Sequence, residues 1–184
     1  GRKKTERYLA LAAILAMAVM AILGLKRNNA GLEQVLSDAL PAAVRFEPLG
    51  NQSFAGYPTE RDALPIGYVK ISAADGYGGP LKVAVTVDPK GVISSLLIIE
   101  QRETADYFKR VRSSEMLNSL IGKGYQDELR LGDDVDGVSG ATYTSRAIVS
   151  ASRLGLRSIA AGELDLDVPR EKPPQVMFGV PELV

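Results

Sequence analysis

From Tyr8 to Leu25 the chain reads YLALAAILAMAVMAILGL, 18 residues without a charge. At 1.5 Å per residue a helix of that length spans roughly 27 Å, close to the hydrocarbon thickness of a bilayer. Arg2, Lys3, Lys4 and Arg7 precede the run, and Lys26 and Arg27 follow it. The alternatives are a cleaved signal peptide and a buried core helix. No Ala-x-Ala cleavage signal stands at the outer end, where Gly24-Leu25-Lys26-Arg27 occurs instead, so the pattern predicts a single uncleaved transmembrane anchor. The basic excess on the N-terminal side predicts a cytoplasmic N-terminus, with everything after residue 28 outside the cytoplasmic membrane.

Beyond the anchor the periodicity changes several times. Leu32, Val35, Leu36, Ala39 and Leu40 recur at helical spacing and Pro41 closes them, which predicts a short helix within residues 28–43. Val44 to Asp62 carries Pro48, Gly50, Gly56 and Pro58 and reads as loops with one strand at most. Ile66 to Ser72, Leu81 to Val87 and Val92 to Glu100 read as strands, joined by the turns Asp75-Gly76-Tyr77-Gly78-Gly79-Pro80 and Asp88-Pro89-Lys90-Gly91. Connections this short predict an antiparallel meander. The period then lengthens over Thr104 to Ile121, where Tyr107, Val111, Met116, Leu117, Leu120 and Ile121 form one helical stripe ended by Gly122 and Gly124. A charge-rich connection, 125–135, leads to a last helix from Thr144 to Ala161 that Gly162 closes.

The pattern as a whole predicts an α+β fold: an anchor at 1–28, a domain at 29–164 built on an antiparallel sheet with helices packed over one face, and a proline-rich extended tail at 165–184. In the tail, Val176, Met177, Phe178 and Val180 are apolar enough to dock on a neighbouring subunit.

Composition removes whole classes of chemistry. The 22 basic and 22 acidic residues balance, which gives no electrostatic footprint for nucleic acid. With no cysteine and no histidine, the chain has no disulfide, no thiolate nucleophile, no imidazole base and none of the usual zinc or haem ligand sets. Redox chemistry here has to come from a bound organic cofactor.

One stretch remains unexplained by periodicity: Asp136-Gly137-Val138-Ser139-Gly140-Ala141-Thr142-Tyr143-Thr144-Ser145. Two glycines interrupt the preceding structure just before a helix begins. The free amides of a helix start and its positive dipole end suit a phosphate. The same residues are equally a Ser/Thr N-cap, with Thr144 standing where a capping hydroxyl turns onto the helix amides. Arg146 is placed in sequence either to pair with a phosphate or to stand in solvent. Asp136 either caps the turn or forms part of a signal.

The pattern Asp, two free positions, Ser or Thr, Gly, Ala, Thr over residues 136–142 resembles the flavinylation signal of the FMN-binding domain family. That family includes the G subunit of Rnf-type ferredoxin:NAD oxidoreductases and the C subunit of sodium-pumping NADH:quinone oxidoreductases. The resemblance extends over about residues 1–162, and Gly76-Tyr77-Gly78-Gly79-Pro80 is closer to the Rnf subunit. It implies one FMN held through a phosphoester on Thr142 and attached outside the cytoplasm by a flavin transferase. Asp136, Ser139, Gly140, Ala141, Tyr143 and Thr144 would position that threonine or be read by the transferase. The family's His-x-Glu-Thr-Pro-Gly segment, which lies against the flavin, corresponds here to Gln101-Arg102-Glu103-Thr104-Ala105-Asp106. Glu103 and Thr104 remain; the His, Pro and Gly do not. This departure bears on the flavin's second wall and not on its attachment point.

The resemblance therefore implies a single-pass inner-membrane subunit whose FMN domain faces the periplasm or cell exterior. It would carry electrons within an ion-translocating complex alongside other membrane subunits, and would convert no small substrate by itself. Two alternatives stand beside it. One is a flavinylated sensor or maturation factor of the nitrous-oxide-reductase-regulator type, or a free-standing extracytoplasmic flavin reductase. The other is an assembly subunit whose turn holds no cofactor. The sequence contains no second apolar run and no cysteine cluster, which weighs against the regulator.

Overall fold

A computed structural model of the chain describes residues 30–169. The apolar run Tyr8–Leu25 and most of the tail lie outside these residues. Among the described residues, no helix is long and apolar enough to cross a membrane.

The centre of the fold is a five-stranded antiparallel sheet in sequential order: β1 (Arg45–Gly50), β2 (Ser53–Tyr57), β3 (Gly67–Asp75), β4 (Pro80–Val87) and β5 (Ile93–Glu100). Residues 30–39 form helix α1. After the sheet come α2 (Ala105–Arg112), α3 (Met116–Leu120) and the long α4 (Thr142–Gly162).

The expected meander is β3–β4–β5, and β3 and β4 pair without interruption from Tyr68↔Val87 to Asp75↔Pro80. The turn between them is closed by the Gly76 amide donating to the Gly79 carbonyl at 2.9 Å. The stretch read as loops is instead the hairpin β1–β2. Its two turn residues, Asn51 and Gln52, have φ of 47° and 60°. Positive φ at both central residues gives the type I′ geometry that matches strand twist. Glutamine at the second position is not the glycine that usually announces such a turn.

β4 is buried on both sides, which is why helices cover both faces of the sheet and not one as expected. Leu81, Val83, Val85 and Val87 face α4, where Ile148, Ala151, Leu156 and Ile159 complete the larger core. Ala84 and, from β3, Val69 face α1, packed with Leu36 and Ala39 and flanked by Phe46, Phe54, Leu97 and Ile99. Thr86 sits on this second face as well, and its hydroxyl donates to the Ala39 carbonyl at 2.9 Å, so the polar atom is satisfied in the core.

α4 crosses β3 and β4 at close range because Gly155 has no side chain. A Cβ there would lie 2.9 Å from both Ser72 Oγ and Val85 Cγ2. With the helix this near, Ser72 donates to the Ala151 carbonyl at 2.7 Å.

The helical stripe expected over Thr104 to Ile121 is broken into α2 and α3. Ser113 and Ser114 turn their hydroxyls onto the carbonyls of Arg110 (3.1 Å) and Val111 (2.7 Å), competing with continued helix. Val111, Met116 and Leu120 are core residues as the stripe implied, whereas Tyr107 and Ile121 are exposed. At the C-terminal side, residues 165–169 are neither helix nor strand. Leu166 is nevertheless tied back, its amide donating to the Ala160 carbonyl at 2.9 Å.

Candidate functional site

The connection that delivers the motif is organised by one carboxylate. Asp134 accepts the amides of Leu129 (3.0 Å) and Arg130 (2.6 Å), with the Lys123 ammonium 3.5 Å away. Burial pushes the Asp134 carboxyl up, but the Arg130 and Leu129 amides and then Lys123 together hold it below the usual carboxylate range. A carboxyl depressed in the folded state adds stability above its unfolded pKa, and that stability is lost as pH falls through the folded value. We expect Asp134→Asn to cost about 1.5–3 kcal/mol at neutral pH, the range for hydrogen bonds to a charged group, and nothing in strong acid. Urea titrations at the two pH values check this; an equal loss at both would assign the effect to packing.

Beyond Asp134 the chain makes a turn that α4 locks at both ends. The Ala141 amide donates to the Val138 carbonyl at 2.9 Å, and the Val138 amide donates to Ser145 Oγ at 3.4 Å. Gly140 takes φ +77° within this turn, a conformation that favours glycine. Ala141 is the N-cap and supplies no side-chain cap, so the helix begins at Thr142, two residues earlier than expected.

This start sorts the hydroxyls. Thr144 is not a cap: it lies in the first turn of α4 and is buried, as is Ser145, which already receives the Val138 amide. Thr142 and Ser139 are exposed. Around Thr142, the first amides of α4 have no intrahelical acceptor.

Thr142 stands in an open cleft of about 290 Å³ lined by Tyr77, Tyr107, Gly140, Ala141, Thr142, Tyr143 and Thr144. That volume is at the low end for ligand sites, about 300–1,000 Å³. The three tyrosines come from the β3–β4 turn, α2 and α4. Tyr77 meets Tyr107 edge-on with ring centroids 6.1 Å apart, and Tyr143 at 6.1 Å and 47°. They are 67%, 37% and 64% exposed for Tyr77, Tyr107 and Tyr143, which leaves aromatic area bare beside the hydroxyl. Sequence reasoning had put Tyr107 on the core stripe and used Tyr77 only as part of a turn. The available signal was an aromatic ring at the tip of a glycine-rich turn, where it has no core to fill.

The remaining expected residues divide. Glu103 and Thr104 do not line the cleft. Glu103 is buried behind it against Gly76, with neither carboxylate oxygen hydrogen-bonded. Thr104 is the exposed N-cap of α2 and makes no side-chain cap. Their segment instead supports the turn that carries Tyr77 and begins the helix that carries Tyr107. Asp136 is exposed and, among the described residues, its carboxylate does not cap the turn. Arg146 is exposed beside the Tyr143 ring, 5.9 Å from its centroid, and lines a separate cleft with Leu129, Arg130 and Arg153. The guanidinium that reaches the turn is Arg110, from α2. Among the described residues, no cluster of three or more acidic side chains is arranged to hold a metal ion.

Comparison with known proteins points to the same segment. Residues 76–157 match the FMN-binding domain. The chain is 30% identical over 105 aligned positions to the G subunit of the ion-translocating oxidoreductase complex of Erwinia tasmaniensis, covering 52% of this chain and 50% of that protein. With the corresponding G subunit of Escherichia coli K12 it is 31% identical over 124 positions, covering 61% of this chain and 60% of that protein. The chain thus spans about half the length of the curated relatives it matches. The crystal structure of Shewanella oneidensis NqrC superposes with a TM-score of 0.45 at 20% identity, covering 64% of this chain and 67% of that chain. The segment that matches the FMN-binding domain holds Tyr77, Tyr107, Thr142 and Tyr143 together, so the cleft lies within the part of the chain that is similar to that family.

Proposed function

We propose that the chain is a membrane-anchored electron carrier that holds one FMN covalently, through a phosphoester on Thr142, within an ion-translocating redox complex of the Rnf type. The observation that carries this reading is the exposed Thr142 hydroxyl at the first position of α4, on the rim of a cleft walled by three bare tyrosine rings. The residues present fit the group. Thr142 offers an oxygen that no cap consumes; that oxygen would bond to phosphorus as the phosphoanhydride bond of an activated flavin donor breaks, the departing phosphate group taking the threonine proton, for a net gain of FMN less water on the chain. The first amides of α4 would hold the remaining phosphate charge. Tyr77, Tyr107 and Tyr143 offer faces and edges to an aromatic ring. Because the cleft is open, it would leave part of a bound ring accessible to a partner protein.

When bound, FMN would supply reversible electron transfer, which the side chains of a chain without cysteine or histidine do not provide. Attachment by the phosphate leaves the ring itself unmodified, so burial and hydrogen bonding in the cleft would set its potential.

The proposal includes the division into anchor (1–28), FMN domain (29–164) and tail (165–184). It places the N-terminus in the cytoplasm and the domain outside the inner membrane, with other membrane subunits as partners and a flavin transferase for maturation. The relatives are themselves named as subunits of an oxidoreductase complex, which supports a place in a multi-subunit assembly. Coexpression with a flavin transferase tests the cofactor. We expect the intact mass to rise by FMN less water, and the denatured band to fluoresce. An unshifted mass in the transferase-positive strain would remove the carrier reading.

A further inference from the structure

The fold brings a charged residue to the motif from a distant part of the chain. Arg110, near the end of α2, extends its guanidinium over the turn before Thr142: Nη1 lies 2.7 Å from where a Cβ on Gly140 would stand. Glycine at 140 keeps that approach open. Among the described residues, Arg110 has no carboxylate partner, whereas Arg45, Arg102 and Arg130 each have one. The arginine that sequence spacing suggested, Arg146, lies against Tyr143 and lines a separate cleft. An unpaired guanidinium held against the turn, two residues before an exposed threonine, is arranged for an anion on that threonine.

We infer that Arg110 is a positioning residue that pairs with the phosphate of the threonyl flavin. This rests on the covalent reading above. A phosphate diesterified between Thr142 and the flavin keeps one negative charge, and a guanidinium fork matches its two free oxygens. Paired in this way, the phosphate is held over the turn while the ring stays among Tyr77, Tyr107 and Tyr143. α2 then contributes twice to the site, a ring edge from Tyr107 and a charge from Arg110, three residues apart on one helix face.

The test compares melting temperatures of FMN-loaded and unloaded protein for wild type, R110Q and R110K. A purely structural role lowers both forms of a variant alike and leaves their difference unchanged. Pairing with the phosphate predicts that the loaded-minus-unloaded difference in R110Q falls below that of wild type by about 2–4 °C at low salt. R110K should recover part of it. The gap between wild type and R110Q should close at about 1 M salt, where the screening length is roughly 3 Å. If R110Q cannot be loaded, loading of R110K supports the pairing and failure of both variants overturns it. A wild type that loads, together with an R110Q that keeps the full difference, overturns the Arg110 assignment alone. A wild type that takes up no FMN overturns the covalent reading, and the pairing with it.

Discussion

Thr142→Ala is expected to abolish the covalent mass increment and the flavin fluorescence of the denatured band, while leaving the melting temperature of the unloaded protein almost unchanged. The side chain is exposed, makes no cap and supports nothing in the core, so its removal has no folding mechanism behind it. Thr144→Ala is expected to do the reverse. Its side chain is buried in the first turn of α4, so truncation should cost about 1–2 kcal/mol and leave the increment intact. Thr142→Ser separates the oxygen from the methyl group: retention of the increment shows that the hydroxyl suffices. Ser139 is the competing exposed hydroxyl, and peptide mapping decides between them. An increment that survives in Thr142→Ala and maps to Ser139 would move the site by three residues and leave the cofactor in place.

The motif that carries the proposed attachment point is local. Asp136 to Thr142 carry a pattern within seven residues, and the structure adds to it the reason for preferring one hydroxyl. Thr144 and Ser145 face inward, a consequence of α4 beginning at Thr142. Sequence placed that boundary two residues late because a capping hydroxyl is the usual opening of a helix, and here Ala141 takes the position without one. The β3–β4–β5 meander was legible for a similar reason: its alternation and short turns lie next to one another in the chain. The β1–β2 hairpin was hidden by Pro48, Gly50, Gly56 and Pro58, which signal loops in isolation. Gly56 in fact sits inside β2, where a Cβ would run into Leu40, the residue just after α1.

The walls of the cleft were not legible. Tyr77, Tyr107 and Arg110 are between 32 and 65 positions away from Thr142 in sequence, and only the sheet and the α2 break bring them to it. Periodicity assigned Tyr107 to the core because it falls on the same stripe as Val111. The hydroxyls of Ser113 and Ser114 end α2 early, and Tyr107 turns toward the cleft while Val111 stays in the core. Glu103 illustrates the opposite case. Its position in the motif suggested contact with a flavin, yet it is buried behind the loop that presents Tyr77.

That loop carries the second large expected effect. Gly78→Ala should destabilise the unloaded protein by about 1–3 kcal/mol and loosen the ring among the tyrosines without removing it from Thr142. A Cβ on Gly78 would overlap the Arg102 carbonyl oxygen and lie 2.7 Å from the Arg102 carbonyl carbon and 3.0 Å from Glu103 Cα. These are backbone atoms, so no rotamer change relieves the contact, and either the 76–79 turn or the 102–103 segment has to move. The turn is the lighter partner, closed by a single hydrogen bond from Gly76 to Gly79. Its displacement carries Tyr77 away from Tyr107 and Tyr143. Gly162→Ala is the matched control, since no atom stands within 4 Å of the added carbon. Loaded Gly78→Ala protein should therefore keep its full mass increment while its native flavin emission rises toward that of the denatured band, because fewer rings remain to quench it. Unchanged melting and unchanged native emission would show that the loop accommodates a side chain and that Tyr77 does not wall the flavin.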